Sequence, residues 1–341
     1  MLGQTGEYLL VEQHTYTTVF ETGLPLGFKF AQVLMDKDGL LPDDLDLVLS
    51  TWDESDRGGK KPRLLYTIPT GQNPTGITQP LSRRREIYRI AQKHELFIIE
   101  DDPYYFIQLP VYRPGESATA TTASVTSVEK YIETLIPSYL RLDTDGRVLR
   151  MDSFSKIVAP GARMGWVTAS EQVIERMIRA HEVSVQNPSG FSQIAIFKLL
   201  HDSWGHLGFV RWLAHLRGEY TKRRNSLLEA CDVFLPREIV RWVPPTGGFF
   251  VSLLPVYPDR LIRVFASPRF ARHFSYSAKK RIDRLGSLST GCNIPKQAVK
   301  PSCRLRRKST MRPSSAGHWL CQEAGSCRMR AEEEWKGYFS V

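Results

Sequence analysis

Cysteine is scarce in this chain: there are five in 341 residues, and four of them (Cys292, Cys303, Cys321, Cys327) lie after residue 291. Their spacing shows no short metal-type pairing, and the first 260 residues hold Cys231 alone. Neither a disulfide scaffold nor a cysteine-metal site therefore organises the main body, and such sparing use suits a reducing cytosol. Long apolar runs are missing too, and none approaches the length of a membrane span. The first residues lack the charged, apolar, then small pattern of a secretory leader. These absences predict a cytoplasmic protein with no membrane partner. At 341 residues it is long enough for two domains with cores of their own.

Acidic charge is short at one end only. After residue 260 there are 17 Lys and Arg against 5 Asp and Glu, which leaves 29 against 31 before it. The formal charge of +10 thus comes from the last 81 residues. Apolar residues there keep neither a helical nor a strand period. Two readings stand. Arg304-Leu305-Arg306-Arg307-Lys308 would suit a basic arm for nucleic acid or anionic membrane. A stretch translated out of frame or from an intron would equally explain the abrupt change of composition.

The main body carries a denser signal. Ser153-Phe154-Ser155-Lys156 is followed by Pro160-Gly161 and Arg163-Met164-Gly165-Trp166. This puts one lysine directly after two hydroxyls on a turn, with an arginine seven residues on. A lysine that condenses with a carbonyl must lose its proton near neutral pH, so it needs neighbours that disfavour the ammonium form. Arginine and serine suit a phosphate ester, through paired charged hydrogen bonds and short neutral ones. The pattern reads as an anchor for pyridoxal phosphate. A surface lysine after a strand is the plainer alternative.

Upstream lies a strand-helix-strand unit. Arg63 to Thr67 is a short apolar run that ends at Ile68-Pro69, and Gly71-Gln72-Asn73-Pro74-Thr75-Gly76 is a turn. Ser82 is placed to cap a helix over Arg83 to His94, with Ile87, Ile90, Ala91 and His94 on one stripe and Arg83-Arg84-Arg85 on a solvated face. Leu96 to Ile99 is the next buried strand and runs into Glu100-Asp101-Asp102-Pro103-Tyr104-Tyr105. Ligands bind at the carboxyl ends of such strands. Three readings of the acids remain. A metal site lacks a spaced set of further oxygen ligands, so no metal is expected. A solvated acidic turn is the second. The third pairs one carboxylate with a protonated pyridine nitrogen, which keeps the ring an electron sink.

These motifs resemble the class I/II aminotransferases, fold type I pyridoxal-phosphate enzymes. Gln72 to Gly76, Ser82 to Arg85, Glu100 to Tyr105 and Asp152 to Lys156 are most similar to the branch of fungal aromatic and 2-aminoadipate/kynurenine aminotransferases. The likeness runs from residue 6 to about 252. It implies an α/β fold, a mostly parallel mixed sheet flanked by helices, plus the start of a small α+β domain. It also implies that Lys156 holds the cofactor and moves a proton between the substrate Cα and C4′, while Asp101 pairs with the ring nitrogen. Tyr104 and Asn73 would bond the phenolic oxygen, Asn73 also lying near the substrate carboxylate. Ser153, Ser155 and Arg163 would grip the phosphate, one serine facing the backbone instead, and Pro103 would shape the Asp-Pro-Tyr turn of the cofactor site. Tyr16 would stack on the ring, with a core tyrosine as its rival.

The activity implied is transfer of an amino group from an aromatic amino acid or 2-aminoadipate to a 2-oxo acid such as 2-oxoglutarate. The family's enzymes are homodimers, and nucleic acid is not an expected partner. Another fold type I reaction, a β-lyase or decarboxylase, would use the same ring and lysine. An inactive remnant is a further alternative, because the family's N-terminal arm and phosphate-binding helix start are not found here. The domain reading is residues 1–185 for the large cofactor domain, 186–253 for long helices and the opening of the small domain, and 254–341 for a disordered basic tail. A folded small domain is needed where the tail stands, so the out-of-frame reading is preferred. Glu116 to Thr126, rich in Ser, Thr and Ala, reads as a surface loop or insertion.

Overall fold

Side chains alternate in direction along a strand, and five short apolar segments use that alternation to cover both faces of one sheet. The structure, a computed structural model, describes residues 2–115 and 125–255, which fall in one unit. Most of the expected 116–126 loop and the basic tail lie outside the described residues.

In chain order come β1 (Tyr8–Glu12), α1 (Thr18–Gly23), β2 (Lys29–Val33) and a small hairpin, β3 (Met35–Asp36) with β4 (Gly39–Leu40). Then follow α2 (Pro42–Ser50), α3 (Glu54–Arg57) and β5 (Leu64–Thr67). The helix α4 (Leu81–Lys93) leads to β6 (Phe97–Asp101), and α5 (Val128–Glu133) and α6 (Tyr139–Leu142) lead to β7 (Val148–Ser153). A 3-10 turn at Pro160–Ala162 precedes β8 (Gly165–Thr168), α7 (Glu171–Glu182) and α8 (Gly190–Phe197). After a π-helical stretch, Lys198–Trp204, the long α9 (Gly205–Phe234) runs to a ribbon of β9 (Val240–Trp242) and β10 (Leu253–Pro255).

The main sheet has the order β2-β1-β5-β6-β7-β8. Every neighbouring pair is parallel except β7 with β8, so the sheet is the mixed, mostly parallel one expected. Leu10, Leu65 and Ile98 point to the face covered by α2 and α4, where Leu45, Leu49, Ile87 and Ile90 pack on them. Leu9, Val11, Leu64 and Tyr66 point the other way, toward Tyr104, Phe249 and Phe250. A third cluster joins Val210 and Leu213 of α9 to Ile107, Leu109 and Ile157. Each fully buried Leu or Ile contributes roughly 1.5–3 kcal/mol.

Two local expectations fail on α4. Ser82 does not cap it: the helix starts two residues earlier than expected, at Leu81 after the extended Pro80, and no side chain caps it. Proline holds its own φ at the value a helix entry needs, and it has no N–H to satisfy. Nor is Arg83-Arg84-Arg85 a uniformly solvated face. Arg85 is exposed, but Arg83 pairs with Asp36 at 2.8 Å and Arg84 is fully buried. Position 84 shares the inward stripe of Ile87, Tyr88 and Ala91, one turn or two away. Its guanidinium is satisfied there by the carbonyls of Pro69, Gln79 and Pro137 and by the Thr70 hydroxyl. Among the described residues no helix is long and apolar enough to cross a membrane.

Candidate active site

Parallel pairing brings the carboxyl ends of β1, β5, β6 and β7 to one edge of the sheet, and each delivers a polar residue there. Register sets Asp101 beside Met151, five residues before Lys156. The lysine turn and the acidic turn therefore leave the sheet on the same edge, from adjacent strands.

Alternation splits the three acids. Glu100 and Asp102 turn toward α4. Glu100 accepts from the Tyr139 and Leu140 amides at 2.8 and 3.1 Å. Asp102 accepts from Thr70 Oγ1 at 2.9 Å, and that hydroxyl in turn accepts from Arg84 at 3.0 Å. Burial raises both carboxyls, Asp102 to about 8, against the pull of Arg150 and Arg84. Arg150 grips Asp152 with two bonds, of 2.8 and 2.7 Å, and lies over the Tyr105 ring. These charges form an internal brace. The solvated-turn reading fails for Glu100 and Asp102, and no group of residues fit to hold a metal exists among the described residues.

Asp101 faces the other way. The Tyr66 hydroxyl donates to its Oδ2, a contact the sequence did not reveal. Burial pushes the Asp101 carboxyl up, the Tyr66 bond pulls it down, and Asp152 adds to the rise. Tyr104 is buried next to it, and burial together with the Asp101 charge raises its phenol. Tyr16 is 41% exposed, which removes the core-tyrosine reading. It lies near enough to Tyr66 and Tyr104 to act on both electrostatically.

On the β7 side, Ser153 Oγ accepts from the Ser155 amide at 3.1 Å, so this hydroxyl shapes the turn. Arg163 is exposed and left-handed at φ 52°. It donates to Ser155 Oγ at 3.4 Å and to the Pro160 carbonyl at 3.2 Å. The Lys156 amine is half-buried and lowered by burial, with Arg163 adding to the shift. Its Nζ lies 5.4 Å from the centre of the Phe249 ring. Phe249 also meets Tyr104 edge-on at 5.0 Å and stacks with Tyr220 at 5.7 Å, so it links the lysine turn to the acidic turn. Phe249 and Tyr220 were not picked out as site residues from sequence; a Gly-Gly-Phe-Phe segment following two prolines was the available signal.

Asn73 and Pro74 are joined by a cis peptide at the end of the β5 loop, and Pro103 is half-buried between Asp102 and Tyr104. The donor set suits pyridoxal phosphate. A depressed amine, a largely buried carboxylate with a phenol on it, and a half-buried serine bonded to an exposed arginine answer the aldehyde, the ring nitrogen and the phosphate in turn.

The family model described as aminotransferase class I and II matches residues 43–260. An aromatic amino acid aminotransferase of Schizosaccharomyces pombe is 45% identical over 251 residues, 74% of this chain and 52% of its own. The chain belongs to the class I and II aminotransferases. Among solved members of the aminotransferase fold, Aro8 from Candida albicans superposes with a TM-score of 0.69 at 41% identity, covering 77% of this chain and 55% of that one. The alpha-aminoadipate aminotransferase LysN from Thermus thermophilus, complexed with N-(5'-phosphopyridoxyl)-L-leucine, gives 0.62 at 26% identity, with 76% and 59% covered. The chain spans about half the length of the curated relatives it matches.

Proposed function

We propose that this chain carries a pyridoxal-phosphate site and encodes transfer of an amino group from an aromatic amino acid or 2-aminoadipate to a 2-oxo acid such as 2-oxoglutarate. The observation that carries the reading is the presence on one sheet edge of both a half-buried, depressed Lys156 amine and a largely buried Asp101 that Tyr66 holds by a hydrogen bond. When bound, the cofactor supplies an electron sink for the carbanion at the donor's Cα. Asp101 keeps a negative charge toward the ring nitrogen, and Tyr66 opposes the burial that would protonate it. Lys156 takes the Cα proton and returns it, a task that favours an amine of lowered basicity. Ser155 and Arg163 hold the phosphate, and Asn73 and Tyr104 orient the ring. Phe249 and Tyr220 supply apolar surface beside the amine, which fits an aromatic donor.

The test uses the full chain. Added pyridoxal phosphate is expected to give a near-visible absorbance band that borohydride removes, absent in Lys156→Ala. Aromatic amino acids or 2-aminoadipate should then discharge the band and release the matching 2-oxo acid. Ammonia or carbon dioxide as product would instead indicate lyase or decarboxylase chemistry. A wild-type chain that forms no band sinks the reading.

A further inference from the structure

Glu12 ends β1 and is fully buried, with no cation paired to it among the described residues. Four donors converge on its two oxygens. Thr67 Oγ1 donates to Oε1 at 2.7 Å, and Gln79 Nε2 does so at 3.3 Å. Oε2 takes Gln72 Nε2 at 3.0 Å and the Ile68 amide at 3.3 Å. An ionised carboxylate only accepts, so it satisfies all four at once. No uncharged side chain of that size offers two acceptor-only oxygens.

What Glu12 holds is more telling than how it is held. The Gln72 amide is fixed at both ends. Its Nε2 donates to Glu12 and to the His14 carbonyl, and its Oε1 accepts from the Thr75 amide at 2.9 Å and the Thr75 hydroxyl at 2.7 Å. Asn73 lies inside the Gln72–Thr75 turn, and His14 is two residues before Tyr16. One amide thus ties together two loops, 13–16 from β1 and 71–76 from β5, each of which carries a residue assigned to the cofactor.

We propose that Glu12 is a positioning residue which, through Gln72, locks the Asn73 and Tyr16 loops against each other at the cofactor site. The proposal rests on the transaminase reading for what the two loops hold, while the clamp itself belongs to the chain alone.

The clamp is sensitive to protonation. Burial raises Glu12 to about 7, against its hydrogen bonds, and Asp101 adds to the rise. The titratable groups that face it are Asp101 from β6, Tyr66 from β5 and Tyr139 from α6. Both phenols are raised above their ordinary range and stay neutral. A protonated Glu12 turns one acceptor into a donor, and Gln72 cannot reverse its amide without losing Thr75. The lock therefore tightens as pH rises through about 7.

The experiment compares the full wild-type chain with Glu12→Gln and Gln72→Met, first without cofactor. Hydrogen exchange at matched, rate-corrected pH is expected to show faster uptake in peptides covering residues 13–18 and 68–76 together, while the β6 peptide stays protected. Pyridoxal-phosphate affinity, read from the absorbance band between pH 6 and 8.5, should be roughly tenfold weaker in both variants at pH 8, the worth of one charge-assisted hydrogen bond. The wild-type affinity should fall below pH 7, and Glu12→Gln should lose that step. Unchanged uptake in both loops overturns the clamp, as does a Glu12→Gln pH profile that keeps the wild-type step. Should Glu12→Gln not fold, Gln72→Met decides on the same exchange readout. Released loops with no band in the wild type would sink the cofactor reading and leave the clamp standing.

Discussion

Replacing Arg84 by methionine tests the brace behind the acidic strand. Methionine keeps the length and apolar stem of the side chain, so the change removes charge and donors more than volume. Arg84 gives bonds to the carbonyls of Gln79, Pro69 and Pro137 at 3.1, 3.1 and 3.2 Å, and to Thr70 Oγ1 at 3.0 Å. Its charge also holds Glu100 and Asp102 toward ionisation. Removing one member of a buried ion network costs about 3–5 kcal/mol, because the remaining charge is left uncompensated. Arg150 still faces both acids, which sets the expectation at the lower end, about 3 kcal/mol. Urea unfolding of the full chain at pH 8.5 and pH 6 would measure it. Without Arg84 the folded-state carboxyls rise further above their unfolded values. Carboxyls raised in this way favour the fold at low pH, and that advantage is lost as pH rises through the folded pKa, which is about 8 for Asp102 even with Arg84 present. The deficit should therefore be larger at pH 8.5 than at pH 6. A loss under about 1 kcal/mol, the scale of a surface ion pair, or one indifferent to pH, would refute the brace.

Leu65→Ala removes a fully buried side chain from the strand between β1 and β6, and it should cost about 3–5 kcal/mol in thermal or urea unfolding. Tyr66→Phe deletes only the hydroxyl that donates to Asp101. Asp101 should then titrate higher, and the cofactor band should weaken several-fold, about the worth of a hydrogen bond to a charged group; equal affinity with and without the hydroxyl would contradict the role given to Tyr66.

The strands and the lysine turn were legible because their signals are local. Short apolar runs, Asn-Pro and Pro-Gly punctuation, and a lysine preceded by two serines are all read within a few residues. Strand alternation alone separates Asp101 from Glu100 and Asp102. The burial of Arg84 is hidden for the opposite reason: its partners, Pro69, Thr70 and Pro137, lie up to 53 residues away, and a run of three arginines looks the same whether one of them is buried or none. The helical stripe of residues 84, 87, 88 and 91 was the missed clue. Tyr66 and Glu12 carry no local signal, because each is joined to its partners across the sheet, and the pairing of strands is not written in either segment.

The segment after α9 threads back into the sheet edge described above. The Leu109 amide donates to the Thr246 carbonyl at 2.8 Å, and the Gly248 amide to the Ile107 carbonyl at 2.9 Å. A Cβ on Gly71 would meet the Gly248 nitrogen at 2.5 Å, and one on Gly76 would meet the Phe250 carbonyl oxygen at 2.3 Å. On the ribosome, strands β1 to β8 emerge and can pair long before this stretch is made. The wall beside Lys156 waits for it. A nascent chain released before residue 249 would own Lys156 and Asp101 yet have no Phe249 beside its lysine, so on the proposed reading cofactor capture is a late event of synthesis.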